Sequence, residues 1–296
     1  MPSLRDMRNR IASVKNTQQI TRAMKMVSAA KLRRAQEQIV NMRPYAQSIL
    51  QVVADIAMTR QVENPLLREP QKTTKALLIV ITSDRGLCGG FNNAVCRFTE
   101  KYIREVKTQY EKMDFIFIGK KGADYFRRRG VNPRQVILNL SRQISYKMAF
   151  DMAKTCMDEF TNSDYDEVRF IYNEFKSAIS QKLVSERVLP IDLNVAVAQG
   201  RDPNLKSSYA PNMIFEPAPE KMMDQLLTQH FSIQVYRCMS ESVAAEHAAR
   251  MTSMENATKN AKEMISKLTL TYNKLRQASI TKELIEICSG AEAVSE

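Results

Sequence analysis

Positions spaced alternately three and four apart can be followed along the first stretch of the chain. They run Leu4, Met7, Ile11, Val14, Gln18, Thr21, Lys25, Ser28, Leu32, Ala35, Ile39, Met42, Ala46, Ile49, Val53 and Ile56. This is a heptad seam, apolar at both ends and polar in its middle, and it predicts one long helix. A second seam lies near the other end, through Ala244, His247, Met251, Met254, Thr258, Ala261, Ile265, Leu268, Tyr272 and Leu275. No glycine precedes Gly86, none falls between Gly200 and Gly290, and no proline follows Pro219, so little in either stretch breaks a helix. Two such seams at opposite ends predict an antiparallel coiled coil with arms at 1–62 and 220–296. Pro2, Ser3 and Asp6 suit a helix start, and Pro44 is expected to kink or loosen the first arm.

The pattern changes between the arms. Residues 63–73, with two prolines, read as a linker. Ala76–Thr82 is a short continuous apolar run that suits a buried parallel strand. A glycine-rich turn follows, then a helix from Asn92 to about Tyr110. Further strands are expected at Met113–Ile118, Val136–Leu138, Asp166–Tyr172 and, as an edge strand, Lys182–Leu189. Helices are expected at Ala123–Arg129 and from a Ser141 cap to Thr161. This alternation predicts a doubly wound, Rossmann-like α/β domain over 63–219, closed by a proline-rich connector from Asp192 to Pro219. The fold class is therefore α/β plus α, a coiled coil with an inserted α/β domain.

Charge sharpens the picture. Residues 1–43 hold ten Lys or Arg, among them Arg8, Arg10, Lys15, Arg22 and Lys25, against only Asp6 and Glu37. The second arm is close to neutral, so much of the chain's net +12 sits on one helix. Such a run is either a solvated face or a basic track facing an acidic protein, phospholipid or nucleic acid. The five cysteines have no metal-like spacing, and with no apolar leader they read as reduced thiols, Cys88 as a small buried one. No apolar run approaches the ~20 residues that span a bilayer.

Candidate chemistry is sparse. Asp84, Arg85, Gly86, Gly89 and Gly90 form the turn after the first strand, where a phosphate sits in many α/β folds. Yet the spacing is not GxGxxG, and no GxxxxGK[ST] occurs. A tight turn needing small residues, locked by an Asp84–Arg85 salt bridge, explains it better. The two histidines, His230 and His247, lie on the second arm, and His247 reads as a partly buried seam residue. No nucleophilic or metal-ligating set can be assembled, so the chain is not expected to be an enzyme or to hold a cofactor or metal.

The polar middle of the first seam (Gln18, Thr21, Lys25, Ser28) weakens pairing locally, and Ile20, Met24 and Val27 form a second apolar stripe beside it. A stagger in the seam is one reading. A segment that meets something besides its own partner helix is the other.

Three long segments then carry a resemblance. Ile11–Lys31, IASVKNTQQITRAMKMVSAAK, closely resembles the N-terminal signature of the gamma subunits of rotary (F-type) ATP synthases. Ser83–Asn92, SDRGLCGGFN, resembles that family's central turn, and Tyr272–Ala291 its C-terminal helix. The resemblance covers essentially the whole chain and favours a bacterial member. It implies a rotor shaft turning inside a hexamer of alpha and beta subunits, with the α/β domain as a foot on the c-ring, held by epsilon. It implies Mg-ATP or ADP on partner subunits and none here, and a peripheral place on the cytoplasmic face of the inner membrane. It also implies that Arg276 and Gln277 meet beta-subunit loops, with Thr281 near Met24, and that Arg250 belongs to the same coupling region. Arg22, Met24 and Lys25 would share that surface, Arg8, Arg10 and Lys15 would form a basic track, and Ile280, Leu284, Ile285, Ile287 and Ala291–Val294 an apolar tip.

Two other classes remain open from the residues alone. A basic coiled coil could bind nucleic acid or act as a scaffold, although its basic arm lacks interleaved aromatics for stacking on bases. A nucleotide-dependent enzyme is opposed by the missing phosphate loops.

Overall fold

The structure, a computed structural model, describes residues 3–59, 64–70, 73–162, 164–177, 180–192 and 218–295. The expected connector lies almost wholly outside these residues, as do the side chains of Ala291–Val294. Two compact units form: Met1–Ser28 with Arg250–Glu296, and Ala29–Ala249. The two long helices, α1 (Leu4–Thr59) and α6 (Pro219–Ser295), each contribute to both.

α1 opens on a reciprocal cap. The Asp6 N–H donates to the Ser3 hydroxyl at 3.1 Å, and the Ser3 N–H donates to the Asp6 carboxylate at 3.2 Å. The helix continues through Pro44. The bond Pro44 cannot make belongs to the carbonyl of Val40, whose residue is exposed, so water can take its place. Every position of both seams is buried or half-buried, from Leu4 to Ile56 and from Ala244 to Leu275.

In the first unit the helices run antiparallel. The Arg8 guanidinium donates to the Tyr272 hydroxyl at 2.8 Å, and Lys25 pairs with Glu255 at 2.7 Å. Between them the Thr258 hydroxyl lies 2.8 Å from that of Thr21. Two of the four polar seam residues, Thr21 and Lys25, are thus bonded across the pair. Polar groups inside a seam cost stability but fix register.

The second unit contains a five-stranded sheet of order β3-β2-β1-β4-β5. Its strands are β1 (Lys75–Ile81), β2 (Lys112–Ile118), β3 (Gln135–Ile137), β4 (Glu167–Phe175) and β5 (Gln181–Leu189). The first four are parallel, and β5 pairs antiparallel with β4 along the edge. β1 is central and buried on both faces, as its unbroken apolar run requires. On one face Leu78, Val80, Phe117 and Ile171 pack against α2 (Phe91–Val106) and α3 (Lys120–Arg127) through Val95, Cys96 and Phe126. α5 (Tyr146–Thr161) lies on the other, where Ile116 and Met152 line one groove.

The expected helix from Ser141 is divided. A single turn, α4 (Leu140–Gln143), precedes α5, and Ser145, not Ser141, is the cap, accepting from the Met148 N–H at 3.3 Å. α2 ends at Val106, earlier than Tyr110.

α6 in this unit is more than one arm of a coiled coil. Phe231, Ile233, Val235, Cys238, Met239, Val243, Ala244, Ala245 and Ala248 are all buried, which surrounds the helix on every side. Tyr45 of α1 donates to Gln229 at 3.2 Å, and Tyr146 of α5 meets Tyr236 edge-on at 6.2 Å between ring centroids.

Candidate functional site

The order β3-β2-β1-β4-β5 reverses direction between β1 and β4, and the crevice beyond their carboxyl ends is where open α/β sheets take ligands. Here that crevice is filled by the chain's own helix. Cys88 and Phe91 from the turn after β1, with Phe175 at the end of β4, pack on Ala245 and Ala249 of α6. Alanines at four-residue spacing let a turn approach the helix closely.

The turn is held by its own polar groups. The Asn92 side-chain amide donates to the Ser83 hydroxyl at 2.8 Å and lies 3.2 Å from the Cys88 sulfur, while its oxygen accepts the Ser83 N–H at 2.9 Å. Cys88 is buried, as expected.

Asp84 does not pair with Arg85. Its carboxylate accepts the N–H of Lys120 at 3.1 Å and that of Asn139 at 2.8 Å. Lys120 opens α3 and Asn139 precedes α4, so the carboxylate takes backbone donors of the kind that bind phosphate elsewhere.

The glycines also differ from expectation. A Cβ on Gly86 or Gly90 would meet nothing within 4 Å, and in the turn the left-handed positions are Gly89, at φ +57°, and Leu87, at φ +64°. The positions with no room are Gly119, at φ +101°, where a Cβ would lie 2.3 Å from the Thr82 carbonyl oxygen, and Gly122, where it would lie 2.8 Å from the Thr82 hydroxyl.

A second attachment joins the sheet to α6, from residues the sequence did not bring forward. The Arg237 guanidinium of α6 pairs with Glu186 of β5 and, at 3.5 Å, with Glu241. The fully buried Tyr172 of β4 donates to Glu186 at 2.8 Å and accepts from Arg237 at 3.4 Å. Burial pushes the Tyr172 hydroxyl and the Cys238 thiol far above their ordinary ranges, which keeps both protonated. Further along, the Gln181 side-chain amide of β5 donates to the Ala245 carbonyl at 3.1 Å. The available signal was Arg237 itself, a cation inside a largely apolar run.

In the first unit the expected coupling residues spread along the helix pair. Arg10, Lys15 and Arg22 are exposed, Arg8 and Lys25 are engaged with α6, and Met24 is half-buried. Arg250 is buried and is not a free cation. Met24 does not face Arg276, Gln277 and Thr281. The pairings Arg8–Tyr272, Thr21–Thr258 and Lys25–Glu255 put Met24 beside the stretch around Glu255, roughly 30 Å along α6 from Gln277. Arg276, Gln277 and Thr281 are exposed near the N-terminal end of α1. Beyond Ser279 every described side chain of α6 is exposed, including Ile280, Leu284, Ile285 and Ile287 at 49, 57, 60 and 67%.

Comparison with known proteins gives one answer throughout. A model of the family described as ATP synthase matches residues 3–294. The ATP synthase gamma chain of Bdellovibrio bacteriovorus is 57% identical over 294 residues, covering 99% of each chain. That of Anaeromyxobacter dehalogenans is 46% identical over 298 residues, 99% of this chain and all of the other. Among solved structures, a chain of the Euglena gracilis mitochondrial ATP synthase OSCP/F1/c-ring assembly matches 98% of this chain and 94% of its own, with TM-score 0.66 and 25% identity. A chain of the Tetrahymena thermophila mitochondrial ATP synthase central stalk and c-ring matches 80% of this chain and 99% of its own, with TM-score 0.59 and 26% identity.

Proposed function

This chain belongs to the ATP synthase family, among its gamma chains, and on that premise we propose that it is the central shaft of a rotary ATP synthase and carries no catalysis itself. The helix pair is the part enclosed by the alpha and beta subunits, and the sheet domain is the foot toward the c-ring and epsilon. Ion flow turns the ring and foot, and the turning shaft presents different faces to successive catalytic sites. Its power over each site is limited by the difference in contact energy between that site's conformations.

The observation that carries this reading is the end of α6, where Ile280, Leu284, Ile285 and Ile287 stand in solvent. A run of large exposed apolar side chains on one helix calls for an enclosing partner. Nucleotide and Mg²⁺ are assigned to partner subunits. What supports this is the switch-point crevice, occupied by Ala245 and Ala249, and the Asp84 carboxylate on backbone donors an incoming phosphate would need. No described helix is long and apolar enough to cross a membrane. Together with its bacterial relatives, this supports a peripheral place on the cytoplasmic face of the inner membrane.

Co-expression with alpha and beta subunits tests the assignment. The chain is expected to purify with a hexameric ATPase, and the variant Leu284→Asp/Ile285→Asp to be retained at least tenfold less well. Burying two such side chains is worth roughly 3 kcal/mol or more, and two carboxylates add a desolvation cost. Equal retention of both proteins would refute enclosure of the tip.

A further inference from the structure

If the chain is a shaft with a foot, load must pass between the sheet domain and α6. Two kinds of attachment are present, and they respond to load differently. The packing of Cys88, Phe91 and Phe175 on Ala245 and Ala249 is apolar, and such contact resists separation but has no preferred direction along the helix. Small alanines offer a turn little to lock against when the two surfaces slide.

The attachment at Arg237 is directional. Its guanidinium holds Glu186 of β5 and Glu241 of its own helix, and Tyr172 of β4 closes the set by donating to Glu186 at 2.8 Å. Charge-assisted hydrogen bonds with fixed geometry resist displacement in the plane of contact as well as away from it. The Gln181 amide on the Ala245 carbonyl, at 3.1 Å, adds a second bonded point from the same strand. Arg237 and Ala245 are about 12 Å apart along the helix. One bonded point would be a pivot, whereas two at that separation also stop the strand from swinging about the helix.

We propose that the Arg237–Glu186–Tyr172 cluster is the torque anchor of this rotor, a positioning device that makes the sheet domain and α6 turn together. This rests on the shaft reading above. Stability alone would not demand ions here, because a partly buried ion pair is often replaceable by apolar side chains at little cost in folding. Holding direction under load is what apolar replacements cannot supply.

The test uses the assembled enzyme in inverted membrane vesicles, with ATP-driven proton pumping and ATP hydrolysis measured on the same sample. Three variants are compared: Glu186→Gln, Arg237→Lys and Arg237→Met/Glu186→Met. Hydrolysis per assembled complex should stay near wild type in all three. The pumping-to-hydrolysis ratio should fall several-fold in the double Met variant and less in Glu186→Gln and in Arg237→Lys, because a lysine keeps the charge but not the fork. A normal ratio in the double Met variant overturns the anchor, whether or not the amount of complex falls, since lower assembly at normal ratio is what a purely stabilising cluster would give. Failure of the shaft reading is separate, because the wild-type chain would then not purify with an ATPase at all.

Discussion

Gly119 illustrates how a single residue can be decisive without carrying chemistry. It lies between β2 and α3 with φ +101°, and Gly122 in the next turn donates its N–H to the Thr82 hydroxyl at 3.0 Å. The crossing of β1's end and the start of α3 is so close that no side chain fits between them. Gly119→Ala would meet both a forbidden backbone region and a backbone oxygen that cannot move aside. Strained backbone alone costs of order 1–3 kcal/mol, and the clash adds to it. We expect Gly119→Ala to lower the yield of folded chain sharply, while Gly86→Ala, whose Cβ would meet nothing within 4 Å, leaves it unchanged. Thermal melting of the two variants beside wild type decides this, and equal midpoints would remove the argument. The sequence drew the eye to Gly86, Gly89 and Gly90, because clustered glycines resemble a phosphate loop. Gly119's need arises from a strand distant in sequence, which no local pattern displays.

Elements were legible to different degrees, for reasons that differ. The helix pair was plain, since a heptad seam records one buried face and every seam position proved at least half-buried. Its register was not, because a seven-residue repeat looks the same after sliding by seven. Only particular pairs break that degeneracy, and these place Met24 beside Glu255 rather than Thr281. The second seam begins only at Ala244, whereas Phe231, Val235 and Cys238 before it, and Ala245 beside it, are buried too. An all-round apolar helix has no preferred face to detect. Strands within the sheet were found from their apolar runs, whereas the grip of α6 in the switch-point crevice depends on packing between distant segments. The Thr21–Thr258 pair makes register testable. Thr258→Val alone leaves a buried partner hydroxyl without its cross-helix bond and should cost about 1 kcal/mol. Changing both to Val should be near neutral, giving a coupling of similar size in a double-mutant cycle followed by guanidinium unfolding. Strict additivity would mean that the hydroxyls do not act as a pair.

At the scale of the whole molecule, the question is why the chain keeps apolar residues on a helix end that nothing in its described residues covers. Arg8 already meets Tyr272, so α1 begins about where Leu275 and Ser279 are half-buried, and α6 continues beyond it alone. An isolated helical end of this length is marginal in water, because its stability comes from packing an apolar face. The same chain holds β1 with Leu77, Leu78, Ile79 and Val80 fully buried, a core that needs no partner. Local stability should therefore be graded, with fraying at the end of α6 and protection in the sheet. Hydrogen exchange on the isolated chain and on the assembled complex should separate the two. Amides of residues 281–289 are expected to exchange rapidly in isolation and to slow by more than tenfold in the complex, while those of β1 stay equally protected in both. The slowing is what the burial of even one large apolar side chain, worth roughly 1.5–3 kcal/mol, would produce if it is coupled to local opening. Equal exchange at 281–289 in both samples would mean that the helix end is not enclosed, and its apolar residues would then need another account.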